Sequence, residues 1–398
     1  MGDKVRVVHI INSLTFGGAE AMLCNLLLRT DRNIFEPHVV CLIDDLNLAG
    51  PILKAGIPVD VIGMRPGIAD PRGPMKLVRH LRQLRPDVVQ TWMDHSNLIG
   101  GLAARAVPEA KVVWGIHHSH HVRRLTKRST LLTVWACGKL SGRVPTRIVC
   151  CSQHAQKLYA ASGFSADRMV VIPNGFDTDL FHPDDGARSD VRKELGIDLK
   201  STVIGLVARY DPLKDQANFV AAAGLLNREF PDAHFLMCGD LVDEDNTALM
   251  GQIRALGIEG RCHLLGQRRD VARIHAALDI ATSSSISEAF PLAVGEAMAC
   301  GVPCVVTNVG DSAMMIGNTG RIVPPSNSAA LAAGWAELLK MDVVLRNRLG
   351  TDARRRVRDL FDLEAVGKRY ADLYLELAGS KIRAPMKPPA MLETSRVA

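Results

Sequence analysis

Short runs of consecutive apolar, mostly β-branched residues alternate along this chain with longer stretches in which apolar positions recur every three or four residues. The first run, residues 5–12, reads as a strand, and residues 21–29 follow as an apolar-periodic helix. The same alternation predicts strands over 38–43, 59–62, 88–91, 111–116 and 147–151, separated by helices over 47–55, 74–84, 96–106 and 155–161. Beyond Phe181 the scheme restarts, with strands over 202–209, 234–238, 262–265, 279–282, 303–307 and 320–325. Helices are expected over 216–229, 271–277 with Asp270 as cap, 293–300 and 331–358. A last amphipathic helix, 363–377, carries Tyr370, Leu373 and Leu377 on one stripe. Strands that are apolar throughout, rather than at every second position, are covered on both faces. Alternation with helices therefore means parallel, doubly wound α/β sheets.

Length and charge refine that picture. At 398 residues the chain exceeds what one core serves, so two domains are expected, with the boundary at 181/182. Hydrophobic residues at 47% and charged residues at 23% fit a soluble globule. The apolar start is too short and too strand-like for a signal peptide, and no apolar run approaches the roughly 20 residues of a spanning helix. Nine scattered cysteines, an odd number, predict free thiols in a reducing compartment; neither Cys150–Cys151 nor Cys300 with Cys304 has metal-site company.

The net charge of +6 is unevenly spread. Residues 1–180 hold 22 Lys and Arg against 14 Asp and Glu, 22 − 14 = +8; residues 181–379 hold 22 against 27, −5; the proline-bearing tail, 380–398, holds 4 against 1, +3. The first half therefore suits an anionic partner such as a phospholipid surface or a lipid diphosphate. Nucleic acid is not expected, because no stacking motif accompanies the charge. Basic Arg123, Arg124, Lys127 and Arg128 precede the apolar run 131–140, LLTVWACGKL. That run suits an interface-seeking helix as well as a core helix, and core burial is the preferred expectation.

The densest chemistry lies in 283–311, SSSISEAFPLAVGEAMACGVPCVVTNVGD. A loop leaves a buried strand, Pro291 suits a first helical turn, and Gly301 ends the helix. Glu288 falls in the loop and Glu296 in the helix, around a helix N-terminus whose free amides favour anions. A sugar diphosphonucleoside needs amides and cations for its phosphates, a carboxylate for its ribose hydroxyls and acceptors for its sugar hydroxyls. Glu296 could supply the second and Glu288 the third. Helix capping and a solvated face are the bland alternative.

Three further stretches sit at strand ends, where ligands of such sheets bind. Gly17 and Gly18 make a strand-to-helix turn that lets the backbone approach an anion. Arg209 and Lys214, five positions apart around a turn, can both reach one diphosphate. His117, His118, Ser119, His120 and His121 follow a strand, but being consecutive and without acidic company they are not expected to bind a metal.

The string E-A-F-P-L-A-V-G-E-A-M-A-C-G-V-P from Glu288 resembles the signature of the family 4 retaining glycosyltransferases, and the likeness spans about residues 5–378. V-I-P-N-G-x-D-x-x-x-F-x-P from Val171 resembles the family's interdomain passage. The resemblance implies the GT-B fold, two doubly wound Rossmann-like domains facing each other across a cleft. These would be 1–181 for the acceptor and 182–360 for the nucleotide sugar, with 361–379 crossing back to the first domain and 380–398 a flexible tail.

By position it implies that Arg209 and Lys214 neutralise the leaving diphosphate, with Gly17 and Gly18 across the cleft. Glu296 would hold the ribose, and Glu288 with His117 or His118 would act at the reaction centre. The backbone of Ala289, Phe290, Pro291 and Leu292 would contact sugar and phosphate, and Gln267 and Arg268 would border the base. The expected activity is metal-independent, retaining transfer of a hexosyl group to a lipid-linked or polysaccharide acceptor. No cofactor is expected, and the place of work would be a cytoplasmic membrane face. A sugar-nucleotide epimerase or an inactive nucleotide-sugar-binding protein are the alternatives.

Overall fold

The computed structural model describes residues 4–65, 72–119 and 126–379. The first half runs β1 (Val5–Ile11), α1 (Gly18–Leu28), β2 (Phe35–Cys41), α2 (Ala49–Lys54), β3 (Val59–Val61), α3 (Arg72–Leu84), β4 (Val88–Trp92), α4 (Asp94–Arg105), β5 (Lys111–Ile116), α5 (Arg128–Leu140), β6 (Arg147–Cys150), α6 (Gln153–Ala161) and β7 (Met169–Val171). Its seven strands are parallel, in the order β3-β2-β1-β4-β5-β6-β7. In β1, Val5, Val7 and Ile11 pack under α1 and α2, whereas Val8 and Ile10 pack under α3, α4 and α6. Burial on both faces is why that strand reads as continuously apolar.

The second half runs α7 (Asp185–Glu194), β8 (Val203–Val207), α8 (Gln216–Asn227), β9 (His234–Cys238), α9 (Thr247–Ala255), β10 (Cys262–Leu264), α10 (Val271–Ala276), β11 (Ile280–Ser283), α11 (Leu292–Ala299), β12 (Cys304–Thr307), α12 (Ser312–Ile316), β13 (Gly320–Val323), α13 (Ser328–Leu339), α14 (Val343–Leu360) and α15 (Leu363–Ala378). Its parallel sheet has the order β10-β9-β8-β11-β12-β13.

Helix α15 returns to the first sheet. Leu363, Val366, Tyr370, Leu373, Tyr374 and Leu377 join the core formed by β1, α1 and α2, and the Tyr374 hydroxyl donates to Gln90 Oε1 at 3.3 Å. The outgoing and returning chains pair where they pass: the Phe176 amide donates to the Phe361 carbonyl (2.8 Å) and the Leu363 amide to the Phe176 carbonyl (3.0 Å).

The structure adds β7 and α12 to the expected elements and corrects them at four further points. The expected helix 331–358 is two, α13 and α14, interrupted before Asp342, whose side chain caps α14 by accepting from the Val344 amide. Helix α7 carries few apolar residues and escaped the periodicity reading. It is anchored by Arg192, a fully buried guanidinium that donates to Asp279 Oδ2 (2.7 Å) and to the carbonyls of Ala277, Leu199 and Ser201. Asp270 does not cap α10, because its carboxylate is held by Arg268 and Arg273.

The fourth correction concerns 131–140, which is not a core helix. Of α5 only Cys137 and Gly138 are buried, while Leu132 is 64% and Trp135 61% exposed. This helix meets its neighbours through a narrow face, with Gly138 against Phe164 and Val134 and Leu140 partly buried, and leaves Leu132 and Trp135 outward. Arg123 and Arg124 lie outside the described residues. All nine cysteines are free thiols, eight of them buried.

Two buried histidines give stability a pH dependence. Trp92 Nε1, which can only donate, points at His9 Nδ1 at 3.3 Å, so that nitrogen is the acceptor of a neutral ring. Burial lowers His9 from 6.5 to about 3, and burial, then the neighbouring His118, lowers His117 to about 3. Between those pH values the unfolded chain binds the protons and the folded chain does not. Their contribution is therefore complete above pH 6.5 and is lost as pH falls towards 3. Each group adds a slope of up to about 1.4 kcal/mol per pH unit. Urea unfolding between about pH 4.5 and 6.5 should show stability rising with pH, with a shallower slope in His9→Gln whatever its absolute stability. An unchanged slope would remove His9 from this account.

Candidate active site

The residues singled out in the sequence leave the carboxyl ends of strands in both halves. In the second half the turn after β8 and the loop after β11 are stitched together. The Ile286 amide donates to the Leu213 carbonyl (2.9 Å) and Ser284 Oγ to the Lys214 carbonyl (2.7 Å). This stitching sets Lys214 Nζ 2.5 Å from Glu288 Oε1, with Ser285 Oγ donating to the same oxygen at 2.7 Å. Both side chains are largely covered, at 26% and 12% exposure.

Arg209 stands beside them, 56% exposed, its guanidinium held by Asp211 at 2.9 and 3.1 Å. Asp211 itself lies below the ordinary carboxylate range: partial burial opposes this, but the Leu213 amide and Arg209 outweigh it. The guanidinium is thus aimed yet free to take a second anion.

Gly310 keeps this loop in place from behind. Its φ is +57°, and a Cβ there would lie 2.2 Å from the Glu288 carbonyl oxygen. Pro291 sits one residue before α11, in extended backbone. Glu296 falls on the fifth residue of α11, its Oε2 3.4 Å from Nε2 of the buried His275. Gly295, one position earlier, has no room for a side chain, because Phe176 of the passage between the halves lies against it.

The turn after β10 is braced. Arg268 forks onto Asp270 (2.8 Å twice) and reaches Glu194 (2.6 Å), which pins Asp270 down to about 2 and raises Arg268 further. Its guanidinium is thus engaged on both sides within the second half. Gln267 precedes it in the same turn.

The first half contributes from the opposite wall. A Cβ on Gly18 would lie 3.3 Å from Leu292 Cδ1, so the Gly17–Gly18 turn faces the start of α11. Helix α1 has no side-chain cap at Gly17. Glu20 in its first turn is raised by burial, against the pull of its own amide and of Arg209 across the cleft. His117 lays its ring on Trp92, centroids 4.7 Å apart and 16° from parallel, with both ring nitrogens buried. His118 is exposed.

Two contacts close the walls onto each other. Ser119 Oγ and Ser287 Oγ hydrogen-bond at 2.8 Å. Asp311 accepts from the Gln153 and His154 amides (2.8 and 2.9 Å), capping α6 of the first half from the second. Burial raises Asp311, the two amides opposing. Glu20, Ser119, Ser285, Ser287 and Asp311 were not legible as site residues. Only their neighbourhood of motif residues could have flagged them.

Comparison with known proteins follows the same division. The family described as Glycosyltransferase Family 4 matches residues 16–180, and that described as Glycosyl transferases group 1 matches residues 187–356. The Escherichia coli UDP-Gal:alpha-D-GlcNAc-diphosphoundecaprenol alpha-1,3-galactosyltransferase is 25% identical over 325 residues, 79% of this chain and 81% of that one. The D-inositol 3-phosphate glycosyltransferase of Corynebacterium glutamicum is 32% identical over 218 residues, 52% of this chain and 51% of its own. Among solved structures, Anabaena HepE in complex with UDP-glucose superposes with a TM-score of 0.82 at 23% identity, covering 92% of this chain and 98% of that one. WaaG, a glycosyltransferase involved in lipopolysaccharide biosynthesis, superposes with a TM-score of 0.73 at 17% identity, covering 92% and 99%.

Gly310→Ala should lower stability by about 1–3 kcal/mol, through an unfavourable φ and a displaced Glu288 backbone. Gly251→Ala, inside α9 with open space around it, should be neutral or stabilising by about 0.5 kcal/mol. Equal behaviour of the two in denaturant unfolding would show that the Gly310 contact does not constrain the loop.

Proposed function

We propose, for a chain that belongs to the family 4 glycosyltransferases, that it moves a hexosyl group with retention from a nucleotide-diphosphate sugar to a lipid-linked or polysaccharide acceptor. The observation that carries this reading is the 2.5 Å approach of Lys214 to Glu288. A cation suited to a phosphate and a carboxylate suited to sugar hydroxyls meet at one point, which is where the bond between sugar and diphosphate would lie. Arg209 and Lys214 would take the charge that grows on the departing diphosphate, in a partly desolvated site where such interactions are strong. The α1 turn at Gly17 and Gly18 and the backbone of Ala289, Phe290, Pro291 and Leu292 would line the phosphate and sugar. Glu296 would accept the ribose hydroxyls. His117, neutral and held against Trp92, would wall the sugar from the first half, with His118 beside it. Gln267 and the Arg268 backbone would border the base.

In the reaction the acceptor oxygen would form its bond to the anomeric carbon on the face from which the diphosphate leaves. The carbon–oxygen bond to phosphate breaks, and the acceptor's proton goes to the departing phosphate oxygen. Neither a covalent nucleophile nor a metal ion is called for. Residues 1–181 would bind the acceptor and 182–360 the donor, and the UDP compounds bound by HepE make uridine donors the first to test.

The test separates binding from transfer. Arg209→Ala and Lys214→Ala should each lower turnover by at least 100-fold, with unfolding still cooperative and wild-type turnover maintained in a chelator. Glu296→Gln should weaken the free nucleoside diphosphate in calorimetry, whereas Glu288→Gln should spare it and impair transfer. Turnover of both cation variants within about threefold of wild type, or equal calorimetric losses for both glutamates, would overturn these roles.

The membrane belongs to the same proposal. No helix among the described residues is long and apolar enough to cross a bilayer. Helices α3, α4 and α5 nonetheless form one layer with exposed Met75, Leu102, Leu132 and Trp135. Between α3 and α4 runs a groove of ≈ 620 Å³, lined by Met75, Val78, Leu98 and Ile99 with Arg79 and Arg82 at hand. Apolar side chains beside cations suit the surface of an anionic bilayer, each cation adding about 1 kcal/mol, and would set the enzyme at the inner, cytoplasmic face of the cell membrane. Vesicles with anionic lipid should float the protein, neutral ones should not, and raised salt should release it. Leu132→Ser with Trp135→Ser, or Lys127→Glu with Arg128→Glu, should weaken flotation while leaving hydrolysis of a soluble donor intact. Flotation indifferent to lipid charge and to both double variants would turn the proposal to a soluble anionic acceptor.

A further inference from the structure

We propose that His38, Asp60 and His80 form a binding site for one divalent transition-metal ion at the outer edge of the first sheet, away from the donor loops. The three residues come from three elements. Strand β3 is the edge strand, and its register pairs Val40 with Asp60, so His38, two positions before Val40, shows the same face of the sheet as Asp60. Helix α3 lies over that face and brings His80 to the same carboxylate. Nε2 of His38 and Nε2 of His80 stand 2.6 and 2.8 Å from one oxygen, Asp60 Oδ2. The rings are 6.0 Å apart and inclined by 68°, so they converge from different sides rather than stack.

All three potential ligand atoms lie within 4.8 Å of one another. The side chains are 17%, 43% and 26% exposed for His38, Asp60 and His80. The imidazoles are thus held by their surroundings while the carboxylate edge meets solvent, which leaves a coordination position for water.

The chemistry fits a specific class of ion. Two imidazole nitrogens with one carboxylate oxygen suit zinc, cobalt, nickel or iron, and disfavour magnesium and calcium, which prefer all-oxygen shells. Around an ion with bonds of about 2.0–2.1 Å the donors would stand about 3.3 Å apart. From 2.6 and 2.8 Å the two nitrogens would draw back from Oδ2 by about 0.7 and 0.5 Å and close on each other from within 4.8 Å, by side-chain rotations. Each imidazole would give up its hydrogen bond to Asp60 and turn a lone pair to the ion, moving its proton to Nδ1 or to solvent. The ion would tie β2, β3 and α3 together at a sheet edge that is otherwise closed by a three-residue strand. Its role there is structural, separate from transfer in the cleft.

The test uses the full chain stripped of metal by a chelator and dialysed. Titration with zinc chloride should show one tight equivalent and a higher unfolding temperature, and cobalt(II) should give visible bands. Asp60→Asn and His80→Gln should each weaken this equivalent at least tenfold and abolish the temperature rise, while binding of nucleoside diphosphate stays as in wild type. A measurement on the unaltered chain stands beside the variants: zinc should protect His38 and His80 from diethyl pyrocarbonate, read by mass spectrometry. Absence of a tight equivalent, undiminished binding in both variants, or protection confined to the histidines of 117–121 would overturn the proposal.

Discussion

The contact between Lys214 and Glu288 is the constraint around which the turn after β8 and the loop after β11 are arranged. Their sequence separation of 74 residues is bridged because β8 and β11 are neighbours in a parallel sheet, so their following loops leave from the same edge. An ion pair with both members mostly covered contributes little net stability, since desolvating the charges offsets their attraction. Its value lies in position: the pair fixes a cation and a carboxylate in one place, and the more exposed Arg209 stands in the same turn, forked onto the partly buried Asp211. A dianionic ligand entering there would meet charges already oriented, with little rearrangement left to make.

The two halves face each other through few but directional contacts. Asp311 reaches across to the amides that open α6, and Ser119 meets Ser287 within the stretch that also carries Glu288. A helix N-terminus favours an anion, and here the second half supplies it to the first as the Asp311 carboxylate. On the far side the chain crosses out at Phe176 and returns at Leu363, hydrogen-bonded to itself. Arg29 ties the junction to Asp177 at 2.5 Å and to Glu364 at 3.4 Å. Separating the two walls would thus break a carboxylate cap and a hydroxyl pair.

Much of this was legible without coordinates, and α15 shows why. Its stripe of Tyr370, Leu373 and Leu377 announces a buried face, and that face is indeed covered by the first core. Helix α5 shows the limit. An apolar run reports that a surface would rather be covered, not that a neighbour is there to cover it, so LLTVWACGKL suited an outward-facing helix as well as the preferred core helix and only the fold decided. Helix α7 fails in the opposite sense: Arg188 and Arg192 hold it to Asp279 and nearby carbonyls, and buried Ala187 and Val191 are too few to make an apolar period that can be read.

The sequence by itself determined the succession of strands and helices, the parallel sheets and the motif residues at strand ends, because each of these depends on neighbours within a few positions. The tertiary structure alone decided which distant residues share a point in space. Lys214 meets Glu288, Asp311 caps α6, Arg268 is consumed by Asp270 and Glu194, and His38, Asp60 and His80 converge. Such meetings follow from strand order and from the crossing of loops. Local periodicity carries no record of either, since the same alternation of strand and helix is compatible with many orders and only packing of the whole chain selects one.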